Sequence, residues 1–67
     1  RIRLLGTWQE GERWQAVLSA GGVWVPVRVG QRVSRQAHRV QSIRRDAVIF
    51  RTPQGQNIEL NVAGGAR

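Results

Sequence analysis

The stretch Val23-Trp24-Val25-Pro26-Val27-Arg28-Val29-Gly30 decides the fold. Its four valines alternate with other residues, and alternate side chains of a strand point to opposite faces. The pattern predicts a half-buried strand with a core ridge of valines, ended by Gly30. Because proline cannot donate a ladder hydrogen bond, we expect Pro26 at a sheet edge, at a bulge or facing solvent. The outward face, with Trp24 and Arg28, suits docking of another protein.

The segments around this strand predict further short strands separated by turns. Gly21-Gly22 permits the positive φ angles of a tight hairpin turn, which joins residues 14–20 to residues 23–29. Further strands are predicted at residues 1–8, 39–44, 47–51 and 56–62, a type I turn at 52–55, and a loop or short crossing segment at 31–38. The predicted fold class is therefore all-β, a small antiparallel β-sandwich or partly open barrel of about six short strands.

The length and composition indicate one small domain. A chain of 67 residues buries only about 60% of the surface that its unfolded form exposes. We predict a single β domain over residues 1–62 and a flexible tail or the start of a linker at 63–67. The chain has no cysteine, which excludes disulfides and cysteine-based zinc sites. It starts with arginine and has no methionine, so we expect a domain of a longer protein.

The charge predicts an anionic partner. The net charge is +7, and all eleven basic residues are arginines. The planar guanidinium pairs bidentately with carboxylates and phosphates. Nucleic acid, an acidic protein surface and anionic lipid headgroups all fit this composition, and a coding bias toward arginine would produce it as well.

The polar residues do not indicate an enzyme. Glu10 and Glu12 lie in one predicted turn, where paired acids usually serve solvation. His38 has neither a second ligand nor an orienting carboxylate nearby in the sequence. The glycines match no phosphate-binding loop. We expect no catalytic residue, cofactor or metal.

The tryptophans have two possible roles. Trp8 and Trp14 flank the first turn and are predicted to pack as a cross-strand aromatic pair. Trp24 lies opposite the valines, where it is either a structural residue or a surface anchor for a partner. We predict that Trp24, Arg28 and Arg32 form the centre of a docking surface, assisted by Arg3 and Arg39.

Several short motifs together suggest a family. They are Leu4-Leu5-Gly6, Ala16-Val17-Leu18, residues 27–33 with the pattern Val-x-x-Gly-x-x-Val, Val40-Gln41-Ser42-Ile43, Ala47-Val48-Ile49-Phe50, and residues 55–60. In this order the chain resembles the periplasmic homology-region domain shared by protein C of type II secretion systems and protein P of type IV pilus assembly. The likeness covers most of the chain.

The resemblance implies a non-enzymatic bridge. A domain of this family is periplasmic, is tethered to the inner membrane by a segment outside this fragment, and docks on the N-terminal periplasmic domain of an outer-membrane secretin. Pairing of strand edges with a few charged contacts is the expected mode. The all-arginine charge departs from the family, which does not require so basic a domain.

Two alternatives use the same strands. A small SH3-like or oligonucleotide-binding barrel would hold nucleic acid through arginines, with Trp24 and Phe50 for stacking. The spread of basic residues along nearly every strand disfavours it. A scaffold or oligomerisation module would use the free strand edge.

Overall fold

The computed structural model describes residues 2–33 and 38–62, which form six β-strands and no helix. The strands are β1 (Ile2–Glu10), β2 (Arg13–Ala20), β3 (Val23–Arg28), β4 (Arg39–Arg44), β5 (Ala47–Arg51) and β6 (Asn57–Asn61). The all-β prediction of about six short strands is confirmed. Among these residues there is no helix long and apolar enough to cross a membrane. The predicted tail at 63–67 lies outside the described residues.

The strands form two antiparallel three-stranded sheets. Sheet A has the order β1-β2-β3 and sheet B the order β4-β5-β6, so every neighbour in a sheet is also a neighbour in sequence. Each sheet turns one face toward a shared core. The buried members of that core are Leu4, Ala16, Leu18, Val27, Val40, Ile43, Val48 and Phe50.

The turn chemistry matches the sequence. Gly21 and Gly22 have φ angles of 59° and 84°, which confirms the predicted hairpin between β2 and β3. At residues 52–55 the Gly55 amide donates to the Thr52 carbonyl at 2.9 Å, which closes the predicted turn before β6. Asp46, in the turn between β4 and β5, also has a positive φ, of 65°.

The valine ridge is shorter than predicted. Val27 is 1% exposed and Val25 is half-buried, but Val23 is 62% and Val29 is 54% exposed. Val23 lies at the hairpin tip, at the end of sheet A. Val29 lies beyond the strand, in a turn where Gly30 has a φ of 90° and the Gln31 amide donates to the Arg28 carbonyl at 3.1 Å. The alternation of residues along β3 therefore determines which face a valine lies on, whereas contact with sheet B determines whether that valine is buried.

The turn at Gly30 carries the chain from sheet A to sheet B. The Gly30 amide donates to the Val40 carbonyl at 2.8 Å, and the Val40 amide donates to the Gln31 carbonyl at 2.9 Å. A bridge between Arg32 and Arg39 extends this pairing along the start of β4. The predicted crossing segment is therefore partly a short ladder. Residues 34–37 lie outside the described residues.

The other side of the sandwich is closed by β1. A parallel bridge joins Leu4 to Val62, just after β6. Nearby, the Asp46 amide donates to the Thr7 hydroxyl oxygen at 3.0 Å, and the Val62 amide donates to the Asp46 carbonyl at 3.0 Å. These contacts hold the two sheets together where they are furthest apart in sequence.

The prediction that Trp8 and Trp14 form a cross-strand pair is wrong. A bulge between Leu4 and Gly6 inserts one residue into β1 and reverses which residues of its second half face the core. Trp8 is thereby paired with Gln15, and Trp14 is paired with Gln9. The two indoles lie on opposite faces of sheet A: Trp14 packs against the core, and Trp8 faces outward.

Candidate docking surface

The outer face of sheet A carries two tryptophans, and two of its arginines lie close to them. Residues paired across an antiparallel sheet share a face, so the register defines rows of side chains. One row is Arg3, Ser19 and Trp24. The row four positions along is Trp8, Gln15 and Arg28. Each row therefore has an arginine on one outer strand and a tryptophan on the other.

The two rows place these four side chains at the corners of one patch. Trp24 and Trp8 occupy one diagonal, and Arg3 and Arg28 occupy the other. From the spacings of strands and residues the patch measures roughly 10 Å across the strands and 13 Å along them. We call this patch the docking face.

The centre of the docking face is shallow and largely apolar. The row between the corners is Gly6, Val17 and Pro26. Gly6 has no side chain, and Val17 and Pro26 are short, so this row projects less than the four larger side chains around it. Such a surface fits an apolar side chain of a partner flanked by carboxylates that pair with the arginines.

The tryptophans of the docking face are available to a partner. Trp24 is 73% exposed and Trp8 is 40% exposed. Large exposed aromatic side chains beside arginines are characteristic of the residues that contribute most to binding energy in protein interfaces. The sequence left the role of Trp24 open, and its exposure favours a surface anchor.

The five predicted docking residues do not form one surface. Arg3, Trp24 and Arg28 share the docking face. Arg32 and Arg39 are paired with each other beside β4, and the Arg39 Nη1 donates to the Gly30 carbonyl at 2.9 Å. Proximity in sequence to β3 suggested that Arg32 would join Arg28, but the turn at Gly30 moves it to the other sheet.

Trp8 was missed as a docking residue because its direction depends on the bulge. Strict alternation from Leu4 would place Trp8 on the core face of sheet A. The extra residue in the bulge between Leu4 and Gly6 places Trp8 on the outer face instead. Gly6 was the one available indication, since glycine inside a strand often marks a bulge.

The other residues considered for binding or catalysis have ordinary structural roles. Phe50 is 4% exposed in the core, so it is not available to stack on a base. The Glu10 Oε1 accepts a hydrogen bond from the Gln15 Nε2 at 2.6 Å on the surface. The His38 carbonyl accepts from the Val33 amide at 2.9 Å. Within residues 2–33 and 38–62 no group of three or more His, Cys, Asp or Glu side chains could hold a metal ion.

A cleft lies beside the docking face, between the ends of the two sheets. It has a volume of about 510 Å³. Arg28 and Val29 line it from sheet A, and Gln41, Ser42 and Ile43 of β4 line it from sheet B, together with Glu12, Arg13 and Trp14 at the start of β2. Arg28 therefore borders both the docking face and the cleft.

Comparison of the chain with protein-family models, curated proteins and solved structures gave no match.

Proposed function

We propose that this domain is a non-enzymatic protein–protein interaction module that binds its partner through the docking face. The observation that carries the proposal is the exposure of Trp24, at 73%, on a face that also presents Trp8 and two arginines. An indole so exposed contributes nothing to the core, and transferring it to an interface buries a large apolar surface.

The motif resemblance supplies the identity of the partner. It implies the N-terminal periplasmic domain of an outer-membrane secretin, and a role as the bridge from an inner-membrane secretion or pilus assembly platform to that secretin. The module then acts in the periplasm, tethered to the inner membrane by a segment outside this fragment. Acidic residues of the partner would face Arg3 and Arg28.

The strand edge of β3 supports a modest contribution from main-chain pairing. In the described part of the chain β2 is the one strand paired with β3, and Gln31 bonds the end of the other edge: the Arg28 amide donates to the Gln31 Oε1 at 3.2 Å, and the Gln31 amide donates to the Arg28 carbonyl. Pro26, at the middle of that edge, has no amide hydrogen and interrupts any added ladder. Because Gln31 occupies the backbone groups of Arg28, a partner strand could pair only before Pro26, over very few residues, so side chains of the docking face supply most of the affinity.

The test is calorimetric titration of the domain against the isolated secretin periplasmic domain of the same organism. Trp24→Ala is expected to weaken binding by about 30-fold and Arg28→Ala by about 10-fold, the range for truncation of interface anchors. No binding by the unmodified domain, or full binding by Trp24→Ala, would refute the proposal.

Two matched controls separate the docking face from general surface effects. Val23→Ala removes an exposed apolar side chain next to Trp24 in sequence, on the opposite side of β3. Arg44→Ala removes one positive charge from sheet B. Both controls are expected to bind within about two-fold of the unmodified domain, since neither side chain lies on the docking face.

The alternative is a small barrel that binds nucleic acid. Its support is weaker here because Phe50 is buried and the two exposed indoles are separated by the diagonal of the docking face. Titration of single-stranded and duplex DNA over a range of salt distinguishes the two proposals. Neutralisation of several phosphates gives a steep fall of log affinity with log salt, and absence of binding at low salt excludes this alternative.

A further inference from the structure

The outer face of sheet B carries a second, purely basic surface. The register pairs Arg32 with Arg39 and Arg39 with Arg51, so three arginines lie side by side in one row. Arg44, at the other end of β4, lies on the same face, since Ile43 beside it is buried in the core. We call these four residues the arginine face. In the described part of the chain the register adds one acidic side chain to this side, Glu59, opposite Ile49.

This arrangement is unfavourable for the isolated domain. Like charges directly opposite each other on neighbouring strands destabilise a sheet, and Arg39 has an arginine on both sides. Four arginines against Glu59 leave a charge of +3 on one side of a very small domain. A bound anion would remove the repulsion, so the row indicates a ligand.

The geometry of the arginine face favours an extended anionic surface. The arginines span roughly 10 Å across the strands and 16 Å along β4, so the charge covers an area instead of a line. The apolar side chains on the same side, Ala47 and Ile49, are buried, and among residues 2–33 and 38–62 this face presents no aromatic platform for stacking bases. The register places Arg44 and Arg51 in the rows on either side of Ile49, where their aliphatic stems can cover it while their guanidinium groups reach solvent.

We propose that the arginine face binds the surface of a lipid bilayer containing anionic phospholipids. The guanidinium fork matches the phosphate headgroup, and each basic residue near an anionic membrane is expected to raise affinity about five-fold. The arginine face and the docking face lie on opposite sides of the sandwich. A domain bound to a bilayer through sheet B would therefore present Trp8 and Trp24 away from the membrane.

The test is sedimentation of the domain with vesicles of phosphatidylglycerol and phosphatidylethanolamine, compared with vesicles of phosphatidylcholine alone. Binding is expected to the anionic vesicles only, and to weaken as salt rises. The variant R32Q/R44Q/R51Q is expected to lose about 100-fold in affinity. Arg39 stays unchanged because its Nη1 also holds the Gly30 carbonyl.

The matched control removes the same charge from the other side. R3Q/R13Q/R28Q has the same net charge but takes its arginines from the outer face of sheet A. It is expected to bind anionic vesicles within about three-fold of the unmodified domain. Equal losses in the two triple variants would show attraction by total charge alone and would overturn the proposal. So would binding of DNA through the same arginines more tightly than vesicles at equal salt.

A lysine variant tests whether charge is what matters, and an unfolding measurement tests whether the substitutions destabilise the domain. R32K/R44K/R51K keeps the charge and is expected to retain most of the vesicle binding, so its loss would contradict an electrostatic contact. Because Arg51 lies opposite Arg39, R51Q is expected to unfold at an equal or higher temperature than the unmodified domain. The vesicle assay contains no secretin, so its outcome is independent of the docking proposal.

Discussion

The clearest test of the packing is a pair of valine truncations in one strand. Val27 and Val23 lie on the same face of β3, but Val27 is 1% exposed and Val23 is 62% exposed. Changing either residue to alanine removes the same two methyl groups and the same β propensity. The difference between Val27→Ala and Val23→Ala therefore isolates burial under sheet B.

The expected difference is large relative to the stability of the domain. Two buried methyl groups correspond to about 1.6 kcal/mol of transfer free energy, and the cavity raises the cost of Val27→Ala to about 2–3 kcal/mol. A domain of 67 residues is expected to have a free energy of unfolding of about 3–10 kcal/mol. Val27→Ala should lower the melting temperature by roughly 8–20 °C. Val23→Ala should cost at most about 0.5 kcal/mol.

Urea denaturation followed by far-ultraviolet circular dichroism measures both changes. The slope of unfolding free energy against urea should be the same for both variants, which would show that the midpoint shift reports stability. Equal destabilisation by the two substitutions, or a greater effect at Val23, would refute the argument that cover by the second sheet decides which valines form the core.

Two further substitutions test how the sheets are joined. Gly30→Ala is expected to lower the free energy of unfolding by about 1–2 kcal/mol, because the φ of 90° disfavours a side chain although nothing lies within 4 Å of an added Cβ. An unchanged melting temperature in thermal denaturation would contradict the turn. Gly6→Ala is the control, because Gly6 has the same free space but no positive φ. Thr7→Val is expected to lower the free energy of unfolding by about 0.5–1.5 kcal/mol, measured by urea denaturation, because the Asp46 amide loses its acceptor. Thr7→Ser keeps the hydroxyl group and should lower it less. Equal losses in the two variants would argue against that hydrogen bond.

Much of the fold follows from local sequence chemistry. Gly21-Gly22 specified one hairpin, and the alternating apolar residues of β6 specified a strand with one inward face. These features depend on neighbours within a few residues, so the sequence displays them directly. The strand bounds accordingly agree with prediction to within two residues.

The docking face was only partly predictable because it depends on contacts that are distant in sequence. Trp24 and Arg28 follow from alternation in β3. Trp8 joins them only through the bulge in β1, and Arg3 does so through its pairing with Ser19. The arginine face has the same origin, since only the register reveals that Arg39 and Arg51 are opposite each other. Basic residues that look dispersed in sequence are gathered by strand pairing.

The central claim is that the partner binds the outer face of sheet A, and the indole N–H signals in a heteronuclear NMR titration test it most directly. The chain has three tryptophans: two on the docking face and one, Trp14, against the core. On addition of the secretin periplasmic domain, the indole signals of Trp8 and Trp24 should shift or broaden while that of Trp14 changes little. A titration that moves only Trp14, or that leaves all three signals in place, would contradict the account.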